Sequence, residues 1–375
     1  MIKTVKLEEL ASVKGGKRLP KGVNLITTPN SHPYIRVRDL NNRHTLELNA
    51  DFEYVDDETQ KSIARYIVDR GDIVLSIVGT IGLVAIVGDS LHHANLTENC
   101  VKLTQLNGVN RDYLYYFLKS ELGQAEIAKG TVGAVQAKLP IKNIQAIEVV
   151  LPSLEQQEKI ASILAAIDYK IEANEKINDN LQQQALAIFD SMFSNVYTSS
   201  ERTIGDYIVP KRGKPLLSKD AIAGDVPVVA GGLEPSTYHN VANTFAPVIT
   251  ISASGANAGF VNLWDIPVWS SDSSFIDFSV TEGVYFWFAL LKKYQKKIFD
   301  AQTGSAQAHI YPQHIAALPI GDISAQQILE YHRFVMPMFS TIGHNKKENL
   351  RLGSLRDALL PRLMSGDIDV SSIDI

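Results

Sequence analysis

The most constraining feature of the sequence is a long internal duplication. Four short segments recur in the same order in the two halves of the 375-residue chain. The pairs are 7–17 with 204–214, 77–84 (IVGTIGLV) with 254–261 (SGANAGFV), 112–120 (DYLYYFLKS) with 284–293 (VYFWFALLKK), and 136–147 with 307–318. Each match alone is weak, but four matches in one order are not expected by chance. Two copies of so long a unit exclude a solenoid of short repeats and predict a duplicated domain.

Each copy is followed by a long segment with helical periodicity. Residues 154–193 contain no Gly or Pro, and a heptad frame places apolar residues at eight of ten seam positions. This pattern predicts a helix of roughly 60 Å with a coiled-coil face, whose register is set by Asn174 and Asn178. In the second segment, Pro337 and Gly343 predict a kink or break. The predicted seam consists of Ile160, Leu164, Ile167, Ile171, Leu181, Ile188, Ile342, Leu352, Leu355 and Leu359. Ordinary bundle helices inside one domain are the alternative.

These patterns predict an α+β chain with two pseudo-repeated domains, each a mixed sheet with short helices, and two long helices packed as an antiparallel coiled coil. The predicted divisions are 1–152 for the first domain, 153–196 for the first long helix, 197–322 for the second domain, and 323–375 for the second long helix and C-terminal tail.

The apolar stretch 73–87 is too short for a membrane helix, and Gly79 and Gly82 divide it into two β-branched runs. We therefore expect two buried strands around a turn. The N-terminal residues lack the apolar region of a signal peptide, and the single cysteine, Cys100, excludes a disulfide framework. These features predict a cytoplasmic protein.

The distribution of charge matters more than its sum. The formal net charge is −5, which by itself argues against a nucleic-acid-binding protein. Residues 1–43, however, carry nine Lys or Arg against three acidic side chains, and residues 202–219 carry five against Asp206 alone. Much of the acidic excess lies in 151–200, with three basic and seven acidic side chains. The openings of both copies are thus basic, and binding to nucleic acid stays open.

Motifs of catalysis are absent from the sequence. It contains no phosphate-binding loop, no Rossmann glycine fingerprint, no H-E-x-x-H or G-x-S-x-G, and neither an amino-methyltransferase nor a nuclease signature. His92, His93 and the other histidines show no metal-ligand spacing, so we expect neither catalytic residues nor a metal site. The pattern favours recognition over chemistry.

Several features suit recognition of a ligand. Alternation in Tyr34–Arg38 predicts that Tyr34, Arg36 and Arg38 share one strand face, and Arg matches guanine edges and phosphates well. Glycine-rich loops at 79–82 and 252–259 permit close approach of the backbone. The alternatives are surface ion pairs for the arginines and plain hairpins for the loops. The aromatic residues of 112–120 and 284–293 fit the core better than base stacking.

The helical segments carry a resemblance to a known family. LPSLEQQEKIASILAAIDYKIEANEKINDNLQQQALAIF, which begins at residue 151, and LRDALLPRLMSGDIDV (355–370) resemble the spacer helices of type I restriction–modification specificity subunits. PYIRVRDL (33–40) and GDIVLS (71–76) resemble that family's first recognition domain. The resemblance covers essentially the whole chain and is most specific in 149–193 and 350–370.

The resemblance implies a non-catalytic, sequence-specific DNA-binding subunit of a restriction system. Each of its two target-recognition domains would read one half of a bipartite double-stranded DNA target. The helices would set the spacing and dock two copies of an adenine-N6 methyltransferase (modification) subunit. S-adenosylmethionine, ATP and Mg would belong to partner subunits, including a motor-nuclease (restriction) subunit that lets the complex cleave DNA. This chain would bind no cofactor and no membrane.

The repeat argument then gives the candidate DNA-binding residues. They are the basic residues of the openings and the polar residues of equivalent loops: Lys14, Lys17, Arg18, Arg36, Arg38, Thr80, Gln136, Lys138, Lys211, Arg212, Lys214, Asn257, Gln307 and His309. A coiled-coil scaffold that binds proteins without recognising DNA is the alternative function. A stand-alone DNA-modifying enzyme is disfavoured because catalytic motifs are missing.

Overall fold

The computed structural model describes residues 3–40, 43–133, 135–197, 202–304, 307–371 and 373. Two compact units divide the chain: Met1–Ala173 with Asn349–Ile375, and Asn174–Glu348. Both units mix sheets with helices, so the predicted α+β class is confirmed.

The described part of the first unit contains three sheets. Its strands are β1 (Lys3–Lys6), β2 (Ser12–Gly15), β3 (Pro33–Ile35), β4 (Thr45–Leu46), β5 (Glu53–Tyr54), β6 (Ile73–Ser76), β7 (Val84–Val87), β8 (Asn95–Leu96), β9 (Cys100–Thr104) and β10 (Glu148–Leu151). Its short helices are α1 (Leu7–Leu10), α2 (Asp57–Ile63), α3 (Arg111–Lys119), α4 (Glu121–Gly130) and α5 (Ile141–Gln145), and the long helix α6 (Leu154–Phe193) follows. The sheets have the orders β2-β9-β6-β7-β4, β5-β3-β8 and β1-β10.

The second unit repeats this plan. Its strands are β11 (Arg202–Thr203), β12 (Lys211–Arg212), β13 (Val226–Val229), β14 (Thr237–His239), β15 (Val248–Ser252), β16 (Val261–Trp264), β17 (Trp269–Ser270), β18 (Ser273–Ile276) and β19 (Pro319–Ile320). Its helices are α7 (Val284–Lys293), α8 (Gln295–Asp300) and α9 (Pro312–Ala316), followed by α10 (Ala325–Ser365). The sheet orders β12-β18-β15-β16, β14-β13-β17 and β11-β19 match those of the first unit, except that β4 has no counterpart among the described strands. The predicted duplication is therefore visible in the topology.

The buried strands and aromatic helices form the two cores. All residues of β6 and β7 are buried, as the apolar run 73–87 predicted. Among the described residues, no helix is long and apolar enough to cross a membrane. Tyr115 and Tyr116 of α3, and Phe286 and Trp287 of α7, are at most 1% exposed and belong to the cores. Asn110 caps α3 by accepting a hydrogen bond from the Tyr113 amide, which fixes where the aromatic helix begins.

Both long helices begin with the same cap. Ser153 and Gln156 exchange hydrogen bonds at the start of α6, and Ser324 and Gln327 do so at the start of α10. This reciprocal capping box satisfies amide groups that the first turn of a helix leaves unpaired. The shared S-x-x-Q motif therefore explains why the long helix of each copy begins at this point.

Within each unit the two long helices run antiparallel. In the second unit, Asn174 Nδ2 donates to Glu348 Oε2 at 2.7 Å, and Asn345 Nδ2 donates to Asn178 Oδ1 at 2.8 Å. Residue numbers thus rise along α6 as they fall along α10. In the first unit the pairing of Asp168 with Arg356 shows the same direction. Both seam asparagines have polar partners, which fits a role in fixing the register.

Helix α10 is not broken at Pro337 or at Gly343, contrary to one form of the prediction. The helix is continuous through Pro337, whose position on the exposed side leaves the unpaired carbonyl of the preceding turn within reach of water. Gly343 does not break the helix either. It lets the helix lie close to Asp265, since a Cβ atom there would come within 2.6 Å of the carboxylate.

The predicted seam is buried only in part. Ile160, Leu164, Ile167 and Ile342 are buried, and Ile171, Leu181, Ile188, Leu352 and Leu359 are partly buried. Leu355, in contrast, is 49% exposed and lies outside the seam. The neighbouring Arg356 turns inward instead, because its guanidinium pairs with the buried carboxylate of Asp168 at 2.7 Å.

Candidate nucleic-acid interface

Two of the predicted segments meet at one end of the main sheet of the first unit. The Gly16 amide donates to the Cys100 carbonyl at 3.0 Å, and Ser76 lies opposite Cys100 in the strand register. Ile77, which follows β6, donates to the Asn99 carbonyl at 2.8 Å. The basic opening and the glycine loop therefore leave the sheet side by side.

A third loop joins this end of the sheet. Val132 and Lys138 exchange backbone hydrogen bonds at 2.9 Å, and the Leu139 amide donates to the Ile77 carbonyl at 2.9 Å. Thr80 and the polar side chains of this loop are exposed. We call residues 14–18, 77–82, 132–133 and 135–138 the first recognition edge.

The second unit has the same construction. Gly213 donates to the Ser273 carbonyl at 2.8 Å, while the Ala253 amide donates to the Asp272 carbonyl at 3.1 Å. His309 pairs with Thr303 through two backbone hydrogen bonds of 2.8 and 3.0 Å, as Lys138 pairs with Val132. Residues 211–214, 253–259, 303–304 and 307–309 form the second recognition edge, with the predicted Asn257, Gln307 and His309 on its loops.

One glycine in each opening is required by close packing. A Cβ atom on Gly16 would lie 2.0 Å from the Thr97 carbonyl oxygen, and one on Gly213 would lie 2.5 Å from that of Ser270. Both contacts are with backbone atoms, which cannot move aside cheaply. The glycine shared by the two openings thus seats each basic segment against its sheet.

The cations of the first opening have different surroundings. Lys14 is exposed, and Lys17 lies 5.6 Å above the ring of Tyr66. Arg18 pairs with Glu98 at 2.6 Å, but its side chain is 80% exposed. Exposed pairs of this kind contribute little to stability, so these cations are accessible to an anionic ligand.

Arg36 and Arg38 do not share a strand face with Tyr34. Strand β3 ends at Ile35, and residues Val37–Asp39 form a 3-10 turn in which Asp39 accepts a hydrogen bond from the Arg36 amide at 2.7 Å. This capping contact turns the chain and overrides the alternation of the sequence. Tyr34 is buried, and its hydroxyl donates to the Lys17 carbonyl.

Both arginines are held by the same carboxylate. Glu53 pairs with Arg36 and also with Arg38, in the latter case at 3.0 Å. Burial raises the pKa of the neighbouring Asp39 to about 6, although Arg38 opposes that shift. Arg36 is half-buried in this cluster, so phosphate would have to compete with Glu53 for both guanidinium groups.

In the second opening, the cations are tied to nearby loops. Lys211 Nζ donates to Ser279 Oγ at 2.8 Å, and Arg212 pairs with Asp272 at 2.6 Å. Asp272 also accepts a hydrogen bond from the Ser254 hydroxyl. The carboxylate therefore links the basic strand to the glycine loop, while Lys214 is exposed.

An aromatic group beside the second recognition edge was not predicted. The ring of Tyr311 is 42% exposed and stacks on His309, with centroids 5.9 Å apart and planes 14° apart. A stacked aromatic surface beside polar loops is suited to contact with nucleotide bases. Its sequence signal is the short aromatic and histidine run 309–314, and the first copy has Pro140 at the equivalent position.

The chemistry of these edges is that of binding. They present cations, amides and hydroxyl groups to solvent. The thiol nearest the first edge belongs to Cys100, which is buried, and burial raises its pKa well above the ordinary value, so the thiol is inert as a nucleophile.

Comparison with known proteins finds similarity to one family. Residues 2–183 match the family model described as the type I restriction modification DNA specificity domain. The chain as a whole is similar to type I restriction–modification specificity subunits. It is 24% identical over 382 residues to the type I restriction enzyme MjaIX specificity subunit of Methanocaldococcus jannaschii, covering 91% of this chain and 88% of that protein. The S subunit of the type I restriction–modification system of M. genitalium has the same fold, with a TM-score of 0.61 at 19% identity over 97% of this chain and 96% of that one.

Proposed function

We propose that each recognition edge reads one half of a bipartite double-stranded DNA target. The observation that carries this proposal is the recurrence of the same three segments at the same end of equivalent sheets. The scaffold is repeated, and Gln136 corresponds to Gln307, but the other two positions differ: Thr80 and Lys138 on one edge, and Asn257 and His309 on the other. Two different half-sites follow from two different sets of donors and acceptors.

Within each edge the cations and the loops have separate tasks. Lys14, Lys17 and Arg18, and Lys211, Arg212 and Lys214 in the second copy, hold phosphates. The polar loop residues contact base edges. A chain with a net charge of −5 has no general excess of cations, so DNA affinity is shared with partner subunits.

The long helices set the spacing of the half-sites and dock two adenine-N6 methyltransferase subunits, which use S-adenosylmethionine. Both helices leave large apolar side chains in solvent, which supports docking of a partner. These side chains are Tyr169, Ile177, Met192, Phe334, Met336, Leu350 and Leu355. A motor-nuclease subunit that uses ATP and Mg would add DNA cleavage.

Co-expression with the methyltransferase tests the function as a whole. N6-methyladenine mapped across the host genome is expected in one split motif, with a fixed gap between two short half-sites. An assembled complex with an active methyltransferase that adds no new methylation would overturn the proposal.

Paired variants assign the half-sites. Gln136→Ala with Lys138→Ala should relax or change one half of the methylated motif, and Gln307→Ala with His309→Ala should affect the other half. Changes in both halves from either pair would contradict the assignment of one half-site to one edge.

Lys14→Ala and Lys211→Ala test the assignment to phosphate. Each should weaken binding of the complex to all sequences alike and reduce the slope of log K against log salt by about 1. Lys61→Ala, an exposed lysine on α2 outside the recognition edges, serves as the control. A loss confined to one target sequence would show that the lysine reads bases instead.

A further inference from the structure

Two turns at the opposite end of β6 from the first recognition edge bring three metal-ligating side chains together. Asp69 lies in the turn before β6, and His92 and His93 lie after β7. Because β6 and β7 are antiparallel, both turns are at the same end of the sheet. The His93 amide donates to the Val68 carbonyl at 2.8 Å and thereby joins the two turns directly.

The spacing of the three groups fits a metal ion. His92 Nδ1 and His93 Nε2 each lie 3.6 Å from the same oxygen, Asp69 Oδ1. One ligand atom from each of the three residues lies within 4.8 Å of the others. Ligands bound tetrahedrally at about 2.1 Å from a metal ion are about 3.4 Å apart, so a small shift suffices.

The backbone explains why two consecutive histidines face the same point. Successive side chains of an extended strand point to opposite sides. His93 instead has a φ angle of 68°, in the left-handed region. The two imidazole rings are consequently close, with centroids 3.7 Å apart and planes 33° apart.

The carboxylate of Asp69 is oriented by a neighbouring cation. Lys102 Nζ lies 3.7 Å from Asp69 Oδ2 and 2.9 Å from Asp72 Oδ2, so Oδ1 is the oxygen that faces the imidazoles. The Arg70 amide donates to His92 Nδ1 at 3.3 Å, so this nitrogen carries the lone pair of the neutral ring. A metal ion bound at Nδ1 would take that lone pair and replace the amide as its partner. The contact of Lys102 with Asp69 orients a ligand in the way that outer groups do at metal sites.

We propose that Asp69, His92 and His93 bind one divalent transition-metal ion of the Zn²⁺ type, with water in the remaining positions. Imidazole and carboxylate suit zinc, cobalt and nickel. The three side chains are exposed, so an ion reaches them without opening of the fold. The ion links the turn before β6 to the turn after β7. It lies at the far end of a four-residue strand from the glycine loop, so its binding is separable from DNA recognition.

Metal titration of the full-length protein without a histidine tag tests this site. Visible absorption follows the binding of cobalt, and equilibrium dialysis measures the binding of zinc in a separate experiment. With either metal, one ion per protein molecule is expected to bind. His92→Gln and His93→Asn should each weaken binding at least tenfold; Asn is chosen at 93 because it tolerates the left-handed backbone. Acidification should also weaken binding, because the imidazoles must be unprotonated.

A matched control is available in the same unit. His32 pairs with Asp57 at 3.0 Å but has no second histidine beside it, so His32→Ala should bind metal as the wild type does. Circular dichroism of every variant checks that the fold is retained. Absence of saturable binding in the wild-type protein, wild-type affinity in His92→Gln and His93→Asn, or an equal loss in His32→Ala would each overturn the proposal.

Discussion

At the scale of single residues, neighbouring glycines in the first opening have different roles. A Cβ atom on Gly16 would meet a backbone oxygen at 2.0 Å, whereas one on Gly15 would meet only the Ile141 Cδ1 atom at 3.5 Å, an ordinary contact. The sequence Gly15-Gly16 does not distinguish the two. Only the packing of the opening against Thr97 does so.

We expect Gly16→Ala to lower the free energy of unfolding of the first unit by about 1–3 kcal/mol or more, because the backbone must shift. Gly15→Ala should change it by less than about 1 kcal/mol. Thermal unfolding of the two variants makes the comparison. Equal stabilities would show that the opening repacks around the added methyl group.

The raised pKa of Asp39 predicts that the stability of the folded protein depends on pH. Burial raises its pKa to about 6 in the folded protein, against about 3.9 in an unfolded chain. The folded state therefore binds the proton more tightly, and stability falls as pH rises from about 4 to about 6. Above about pH 6 the stabilisation that protonated Asp39 contributes is fully lost.

Asp39→Asn should remove this dependence, because the amide is neutral and its oxygen still accepts from the Arg36 amide. Relative to the variant, the wild type should lose about 1–3 kcal/mol between pH 4 and 6.5. Urea unfolding across this range measures the difference, with Asp220→Asn at an exposed turn as the control. A difference that grows in favour of the wild type at higher pH would contradict the sign.

At the scale of elements, one buried carboxylate joins three helices of the first unit. Asp168 on α6 accepts from Arg356 on α10 at 2.7 Å and from the Tyr116 hydroxyl on α3 at 2.7 Å. Asp168 is 4% exposed, so its charge needs both partners. Burial disfavours the charge on Arg356, but the hydrogen bond to Asp168 raises its pKa overall.

Arg356→Met should destabilise the first unit by about 3–5 kcal/mol, because it leaves a buried carboxylate without a cation. Arg351→Met, five residues earlier on the same helix and exposed, should change stability by no more than about 0.5 kcal/mol. Chemical denaturation compares the two. A small effect at Arg356 would mean that water or another cation replaces the guanidinium.

At the scale of the whole molecule, the final helix contributes to both cores. Val335 is buried in the second unit, and Leu363 is buried in the first. The same helix therefore stabilises different units with its two ends. Substitutions at the two ends of α10 should therefore destabilise different units.

Leu363→Ala should cost about 2–5 kcal/mol, and Val335→Ala somewhat less, because each leaves a cavity in one core. Hydrogen exchange should show faster exchange in β6 and β9 for the first variant, and in β15 and β18 for the second. Equal acceleration in both units from either substitution would show that the two cores unfold as one.

Much of the architecture is predictable because it follows from patterns among residues that are close together in the sequence. The alternation of glycine turns and β-branched runs marks β6 and β7, and the heptad frame of 154–193 marks α6. The recurrence of four segments predicts the repeated topology, since similar segments in the same order tend to form similar elements. The alternation at 34–38 wrongly predicted one shared strand face. The Asp39 carboxylate accepts a hydrogen bond from the Arg36 amide and so turns the chain at the end of β3.

Sequence alone predicts the duplication, the two long helices, the basic openings and the resemblance to specificity subunits. Tertiary structure decided which charges meet. Glu53 neutralises Arg36, Asp272 binds Arg212, and Asp69 lies beside His92 and His93 only because strand pairing brings distant segments together. Helix α10 continues through Pro337 because that residue lies on the exposed side of the helix. Periodicity is a property of neighbours along the chain, whereas a charged partner is a property of neighbours in space.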